Sequence, residues 1–411
     1  MSLSTSLSGL DAASEQLSVI GNNLANLNTT AFKDQTTNFS DLFYQQLGST
    51  GSGSPIQVGV GVRVGSVSSN MTQGSLQTTG VASDVAIQGD GYFVLQGAAG
   101  PEYTRAGNFQ VNATGQLIAT DGSVVLGYPA ANGVVNTNAA PVGMAVAGGT
   151  VSPPNSTTTV SLTMNLSSST PTNGTFSQSI SVYDSLGDHH TLTYNFTNNG
   201  GNSWGYSVTV PATDVGQTGN PVEVTKGTLT FDSNGNLTAP TGNVTGLSLP
   251  KLADGASTLN FQWNLFQNGS PVVTQVATPL SATASTSQDG YASGSLSSYN
   301  VLADGTIEGV FSNGQSQALG QIAVASFANN QGLQREGGGN YIATLASGAA
   351  DIGAAGTAGR GTIAGGSLEL SNVDIATEFS NLILAERGYD ADAKAITSDQ
   401  QIGQQTLQML Q

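Results

Sequence analysis

Both ends of this chain are written in the period of a helix, and the long middle is not. Leu3, Leu7, Leu10, Leu17, Ile20, Leu24 and Leu27 recur at helical spacings, as do Ile375, Phe379, Leu382, Tyr389, Ile396, Leu407 and Leu410. Each set falls on one stripe of a helix. Between them, roughly three hundred residues rich in Gly, Ser, Thr, Asn and Val read as β-structure. The fold class that follows is multidomain: terminal α-helices forming a coiled-coil-like inner domain, with nested all-β domains between them. A chain with adhesive helices at both termini is built to assemble.

The helices are not strong by themselves. Gly9 and Gly21 each cost about 1 kcal/mol relative to Ala in a helix interior. A helix over Leu3–Asn28 would be about 39 Å long and stable only when its stripe is packed. At the other end Ser371 followed by Asp374 resembles a capping box with a short acid. Ile375, Leu382, Tyr389, Ile396 and Leu410 share one heptad position, and Phe379, Ala393 and Leu407 share the other. Glu386, Gln400 and Gly403 interrupt that seam. No other segment carries a helix of comparable length. The natural partner of one stripe is therefore the other, within one subunit or between subunits.

At 411 residues the chain has room for two to four domains. Charged residues are 9%, against about 25% in an ordinary globular protein, so Ser, Thr, Asn and Gln must carry the solubility. The formal charge is −17, and no Lys or Arg occurs between Arg105 and Lys226 or between Lys251 and Arg335. Without a basic patch, nucleic acid is excluded as a partner. The absence of cysteine removes disulfides, thiolate nucleophiles and Cys–zinc sites together. No apolar run is long enough to span a bilayer. The first basic residue is Lys33 and no apolar core follows Met1, so no cleaved secretory signal is expected.

Texture divides the chain into nested segments. Residues 1–30 and 371–411 read as the inner helical domain, and 31–70 and 346–370 as connecting segments. The Gly/Ser stretch Gly48–Pro55 reads as a flexible or extended connector. Residues 71–145 and 285–345 share strand-and-turn texture and read as one inner β-domain. Within it, Gly89-Asp90-Gly91 between Asp84–Gln88 and Tyr92–Gln96 signals a hairpin. Residues 146–284 read as an inserted outer β-domain, sandwich or barrel.

Candidate chemistry is sparse. His189-His190, with Asp184 and Asp188 nearby, is the one place for a metal or a catalytic base. Adjacent strand residues face opposite ways, so the two histidines do not share an ion. The segment reads as a hairpin turning at Asp184-Ser185-Leu186-Gly187-Asp188. Asp232-Ser233-Asn234-Gly235-Asn236 imitates an EF-hand start, but Leu237 and Asn243 stand where Gly and an acid are required. No catalytic, cofactor or metal residue is assigned, and no enzyme activity is expected.

The termini carry longer signatures. Ser8-Gly9-Leu10-Asp11-Ala12-Ala13, then Ile20-Gly21-Asn22-Asn23-Leu24-Ala25-Asn26, then Asn28-Thr29 and Phe32-Lys33, resembles the N-terminal motif of the bacterial flagellar axial rod and hook proteins. Ser371-Asn372-Val373-Asp374, Glu378-Phe379, Leu382-Ile383, Arg387, Tyr389 and Ala393-Lys394 resemble their C-terminal motif. Tyr103-Thr104-Arg105-Ala106-Gly107-Asn108-Phe109 looks like the shared inner β-domain. Val182-Tyr183-Asp184-Ser185-Leu186-Gly187 and the large insertion resemble the hook members; the alternatives are a distal rod member with an unusual insertion or a secreted β-rich binding protein. The resemblance implies an extracellular, head-to-tail helical homopolymer, a flexible tube acting as a universal joint between rod and filament around an export channel. It also implies as partners the rod, the hook cap, the hook–filament junction proteins and the flagellar type III export apparatus. The family usually has Gly before the Phe-Lys pair, where this chain has Ala31; if the site needs positive φ, Ala is strained there.

Overall fold

The computed structural model describes residues 3–49, 55–147, 149–249 and 251–409. The chain divides into two compact units. One comprises Met1–Ala147, Ser298–Gly309 and Ser316–Gln411, and the other Gly148–Ser297 and Val310–Gln315.

In the first unit, helices α1 (Leu3–Ala25) and α2 (Ile375–Met409) pack on each other. Residues 31–70, expected as connecting segments, are mostly strand. Gln35–Asp41 pairs antiparallel with Val62–Ser69, and Tyr44–Ser49 continues the arm by pairing with Pro55–Gly59. Within Gly48–Pro55 the two ends are thus strand residues, and 50–54 lie outside the described residues. The arm is laid along α1: Val62 N donates to Ser8 Oγ at 3.1 Å.

The second stretch read as a connector, 346–370, is also knitted into sheets. Asp351–Ala354 pairs with Ser316–Ser326, Thr362–Gly365 with Val85–Gln88, and Ser367–Glu369 with Leu76–Thr78. Its Ala/Gly content permits close approach rather than flexibility. A Cβ on Gly365 would sit 2.4 Å from the Val301 carbonyl oxygen, so only glycine fits there.

The main sheet of this unit runs in the order Thr306–Phe311, Ser316–Ser326, Val124–Ala131, Tyr92–Gln96, Pro101–Thr104, Asn340–Ile342 and Gln334–Gly337. Tyr92, Phe93, Val94 and Leu95 are buried, so the strand is covered on both faces. Phe93 and Leu95 enter one apolar cluster, and Tyr92 and Val94 enter another with Tyr103, Tyr128 and Tyr341. This explains an apolar run without alternation. The expected hairpin across Gly89-Asp90-Gly91 does not form: Val85–Gln88 pairs with Thr362–Gly365, whereas Tyr92–Gln96 pairs with Pro101–Thr104. The Arg105 guanidinium fills the turn instead, donating to the carbonyls of Ile87, Gly89 and Gly91 at 3.3, 2.9 and 3.1 Å.

The second unit resolves the choice between sandwich and barrel in favour of two separate sheets. One is a meander, Thr175–Tyr183, His189–Gly200, Ser203–Val210, Val222–Phe231 and Leu237–Ala239. The other places Thr159–Asn165 among Asn260–Asn264, Val273–Thr274 and Ala282–Gln288, with Val244–Ser248 at its edge. Both contribute to one core containing Tyr194, Phe196, Trp204 and Trp263. The alternation is direct: every second residue of Ser203–Val210 is buried, as a half-covered strand requires. The expected turn at residues 184–188 is present, Tyr183 pairing with His189, and residues 232–236 form a turn as well, Phe231 pairing with Leu237.

Candidate assembly site

The two helices run antiparallel. A Cβ on Gly9 would lie 2.5 Å from Asp392 Oδ2, and Asn23 Nδ2 donates to Glu378 Oε2 at 3.3 Å. From Gly9 to Asn23 is 23 − 9 = 14 residues, and from Asp392 back to Glu378 is 392 − 378 = 14, two heptads on each helix.

The seam differs by one residue from the sequence reading. Leu382, Tyr389 and Ile396 are half-buried, as their heptad position implies. The companion position, however, is Glu378, Ala385 and Asp392, not Phe379, Ala393 and Leu407. Glu378 and Ala385 are buried, whereas Phe379 and Leu407 are 51% and 66% exposed and Ala393 is half-buried. Close approach selects this register: Gly9 has no side chain, and the Asp392 carboxylate fills the space that a Cβ would take. Glu386 then sits on the exposed face and interrupts nothing.

The apolar stripes accordingly split. On α1, Leu3 begins the helix, Ile20 is buried, Leu10, Leu17 and Leu24 are half-buried, and Leu7 is 51% exposed; Leu27, just beyond the helix, is also half-buried. On α2, Ile375, Phe379, Ile383 and Leu384 face outward. With Asp392 opposite Gly9, residue 398 stands opposite Leu3, so the last turns of α2 overhang α1. Ile402, Leu407 and Met409 are exposed there, and Leu410 lies outside the described residues. The helices close on each other through Glu378, Ala385 and Asp392 beside the half-buried Leu382, Tyr389 and Ile396, and leave other large apolar side chains uncovered.

The motif residues outside the helices build a polar joint where the first and last thirds of the chain meet. Asn23, fully buried, donates to the Gln35 carbonyl at 2.8 Å and accepts from its N–H at 2.9 Å. Asn372 accepts from Asp34 N at 2.8 Å and donates to the Asn70 carbonyl at 2.9 Å. Asn26 donates to the Asn22 carbonyl at 2.9 Å, closing the end of α1. Asn28 and Arg387 are exposed. Asp374 itself caps α2, accepting from Thr377 N at 3.0 Å, so the cap lies three residues later than the expected Ser371.

Glu369, absent from the sequence reading, is the centre of the joint. Its fully buried carboxylate takes Lys33 Nζ at 2.6 Å, Arg105 Nε at 3.0 Å and Gly74 N at 2.8 Å. Lys33 Nζ also donates to the Thr72 carbonyl at 2.6 Å. Burial pushes the Lys33 ammonium below its ordinary value, although Glu369 pulls it back up. Arg335 lies over the Phe32 ring at 5.4 Å and donates to the Lys33 carbonyl at 2.8 Å. Removing one partner from such a cluster strands a buried charge and costs about 3–5 kcal/mol. The available signal was a lone acid just before the C-terminal motif. Ala31 also lies here, with φ 55° and its N–H on the Glu369 carbonyl at 2.8 Å.

Comparison with known proteins finds family matches along the chain. Residues 3–33 match the flagella basal body rod protein family and 364–409 the flagellar basal body rod FlgEFG protein C-terminal family. Residues 86–165 match the flagellar hook protein FlgE/F/G D1 domain and 154–291 the flagellar basal body protein FlaE D2 domain. Flagellar hook protein FlgE of Treponema pallidum (strain Nichols) is 36% identical, with 97% of each chain covered. The chain belongs to the flagellar hook protein family. The FlgE of Escherichia coli (strain K12) is likewise 36% identical over 98% of each chain. The crystal structure of Helicobacter pylori hook protein FlgE2 covers 70% of this chain and 98% of its own, at 15% identity and a TM-score of 0.49. Among the described residues, no helix of this hook-family chain is long and apolar enough to cross a membrane.

Proposed function

We infer that this chain is the structural subunit of the bacterial flagellar hook, polymerising head-to-tail into a flexible tube that carries torque from rod to filament around an export channel. The observation that carries the reading is the helix pair: one face of α2 packs on α1, while Ile375, Phe379, Ile383 and Leu384 stay exposed on one subunit. Apolar side chains left outward on a helix pair gain stability by packing on neighbours, and a contact that does not close on itself propagates as a helix. The relatives are flagellar hook proteins by name, and no catalytic role is assigned to this chain. Rod, cap and junction proteins and the type III export apparatus are the partners that this role entails.

The test is the double variant Phe379→Ala with Ile383→Ala. The purified subunit should melt close to the wild type, because both side chains are about half exposed in the subunit, while cells carrying it should build no hooks visible by electron microscopy. Normal hooks would refute the assignment of this face to subunit contacts.

A further inference from the structure

Four ionisable side chains of the second unit converge where the sequence offers only a pair of histidines. His189 and His190 open the strand His189–Gly200; His189 is exposed and His190 is buried. Three carboxylates surround the His190 imidazole. Nδ1 lies 3.1 Å from Asp214 Oδ2, and Nε2 lies 3.3 Å from Asp184 Oδ2 and 3.5 Å from Asp254 Oδ2. Asp184 follows the preceding strand, Asp214 sits in the 3-10 helix Ala212–Val215, and Asp254 precedes the turn to Ala256. Asp254 is 254 − 190 = 64 residues downstream, too far for any local motif to reveal it.

Each carboxylate is anchored through one oxygen and offers the other. Asp184 Oδ1 accepts from the N–H groups of Leu186 and Asp188 at 2.8 and 2.9 Å. Asp254 Oδ1 accepts from Ala256 N at 2.8 Å, and Asp214 Oδ1 from Thr213 Oγ1 at 3.2 Å. The Oδ2 atoms of Asp184 and Asp254 are therefore positioned by their own turns, and that of Asp214 by the neighbouring Thr213 hydroxyl.

Two observations separate this cluster from a histidine held only by charge. The charges do not balance: one imidazolium cannot neutralise three carboxylates, and among the described residues no Lys or Arg pairs with any of them. The distances also split into two kinds. Nδ1 to Asp214 is an ordinary hydrogen bond. Nε2 has a single proton to give, yet faces two oxygens at 3.3 and 3.5 Å, beyond the usual range of about 2.7–3.2 Å. Bonds of about 2.0–2.2 Å from a tetrahedral zinc ion put neighbouring ligand atoms about 3.3–3.5 Å apart.

We propose that His190 Nε2, Asp184 Oδ2 and Asp254 Oδ2 are three ligands of a divalent transition-metal site, with Zn²⁺ the best match. A ligand atom from each of the three residues lies within 4.8 Å of the others. Asp214 holds the Nδ1–H from outside the coordination sphere, fixing the tautomer that leaves Nε2 free. An imidazole among carboxylates selects zinc-like ions over Ca²⁺ or Mg²⁺, which take oxygen alone. The side chains of Asp214 and Asp254 remain 22% and 23% exposed, so an ion can enter and water can complete the coordination. Bound there, a divalent ion offsets the charges of the two ligating carboxylates, Asp184 and Asp254, and ties the strand to two loops.

The test is titration of the metal-free full chain with ZnCl₂ by calorimetry, with CoCl₂ as a spectroscopic probe. The expected result is one saturable site, a melting temperature that rises with Zn²⁺, and the visible absorption of tetrahedral Co²⁺. His190→Gln should abolish all three, Asp214→Asn should weaken binding about 10–100-fold, and His189→Ala should change nothing. Asp254→Asn, on the exposed side, provides the ligand test if His190→Gln fails to fold. No saturable binding by the wild type would overturn the proposal, and so would binding that survives in Asp254→Asn or is lost in His189→Ala.

Discussion

Ala31 holds φ 55° beside the buried Glu369 joint, a left-handed conformation that costs an L-residue about 1–2 kcal/mol. The neighbouring hydrogen bond from its N–H to Glu369 leaves the backbone no freedom to relax. Ala31→Gly removes that strain and adds some entropy to the unfolded chain, so it should stabilise the protein by about 0.5–1 kcal/mol. Thermal melting of the purified subunit checks this, and a lower midpoint would show that the site tolerates Ala without strain. Asp289 gives the residue scale its pH dependence. Burial pushes its carboxyl up, but hydrogen bonds from Thr158 and Thr159 outweigh that and hold it below the usual carboxylate range. A depressed folded-state value stabilises above the unfolded value of about 3.9 and loses that contribution as pH falls through the folded one. Asp289→Asn should therefore be less stable than wild type at neutral pH, with the gap in urea midpoint closing below about pH 4; a gap independent of pH would assign the effect to packing instead.

At the level of elements, the sequence made both terminal helices legible, because a 3.6-residue period survives whatever the helix packs against. Their seam was less so. Reading large apolar residues as the contact put Phe379 and Leu407 inside, whereas the helices meet through Gly9, Ala385, Asp392 and the Asn23–Glu378 hydrogen bond. Periodicity marks a stripe but not which partner covers it. The strands inside the two connecting stretches are hidden for a related reason: Gly and Ala also serve where another backbone comes close, and Gly365 lies against the Val301 carbonyl. Polar networks were the least visible, since Glu369 collects Lys33 and Arg105 from positions 336 and 264 residues away. The cap of α2 offers a direct check. Asp374→Ala should cost about 1 kcal/mol of helix stability, seen as a lower melting midpoint, whereas Ser371→Ala should leave it within about 0.5 kcal/mol; equal losses would restore the earlier cap.

For the whole molecule, the division of labour between helix faces decides how a subunit becomes a polymer. If the seam through Gly9 and Asp392 is closed within each subunit, Phe379, Ile383 and the overhanging Ile402, Leu407 and Met409 are free to pack on neighbours. If the helices instead exchange between subunits, the same contacts would form across the interface. The chain has no cysteine, so a single engineered disulfide reports without background. The decisive measurement is electrophoresis, without reductant, of Gly9→Cys/Asp392→Cys subunits oxidised inside isolated hooks and then dissociated in denaturant. Internal closure predicts a single band of monomer size whose mobility shifts on reduction. A ladder of covalent dimers and higher multimers would contradict it, because α1 of one subunit would then be packed on α2 of the next.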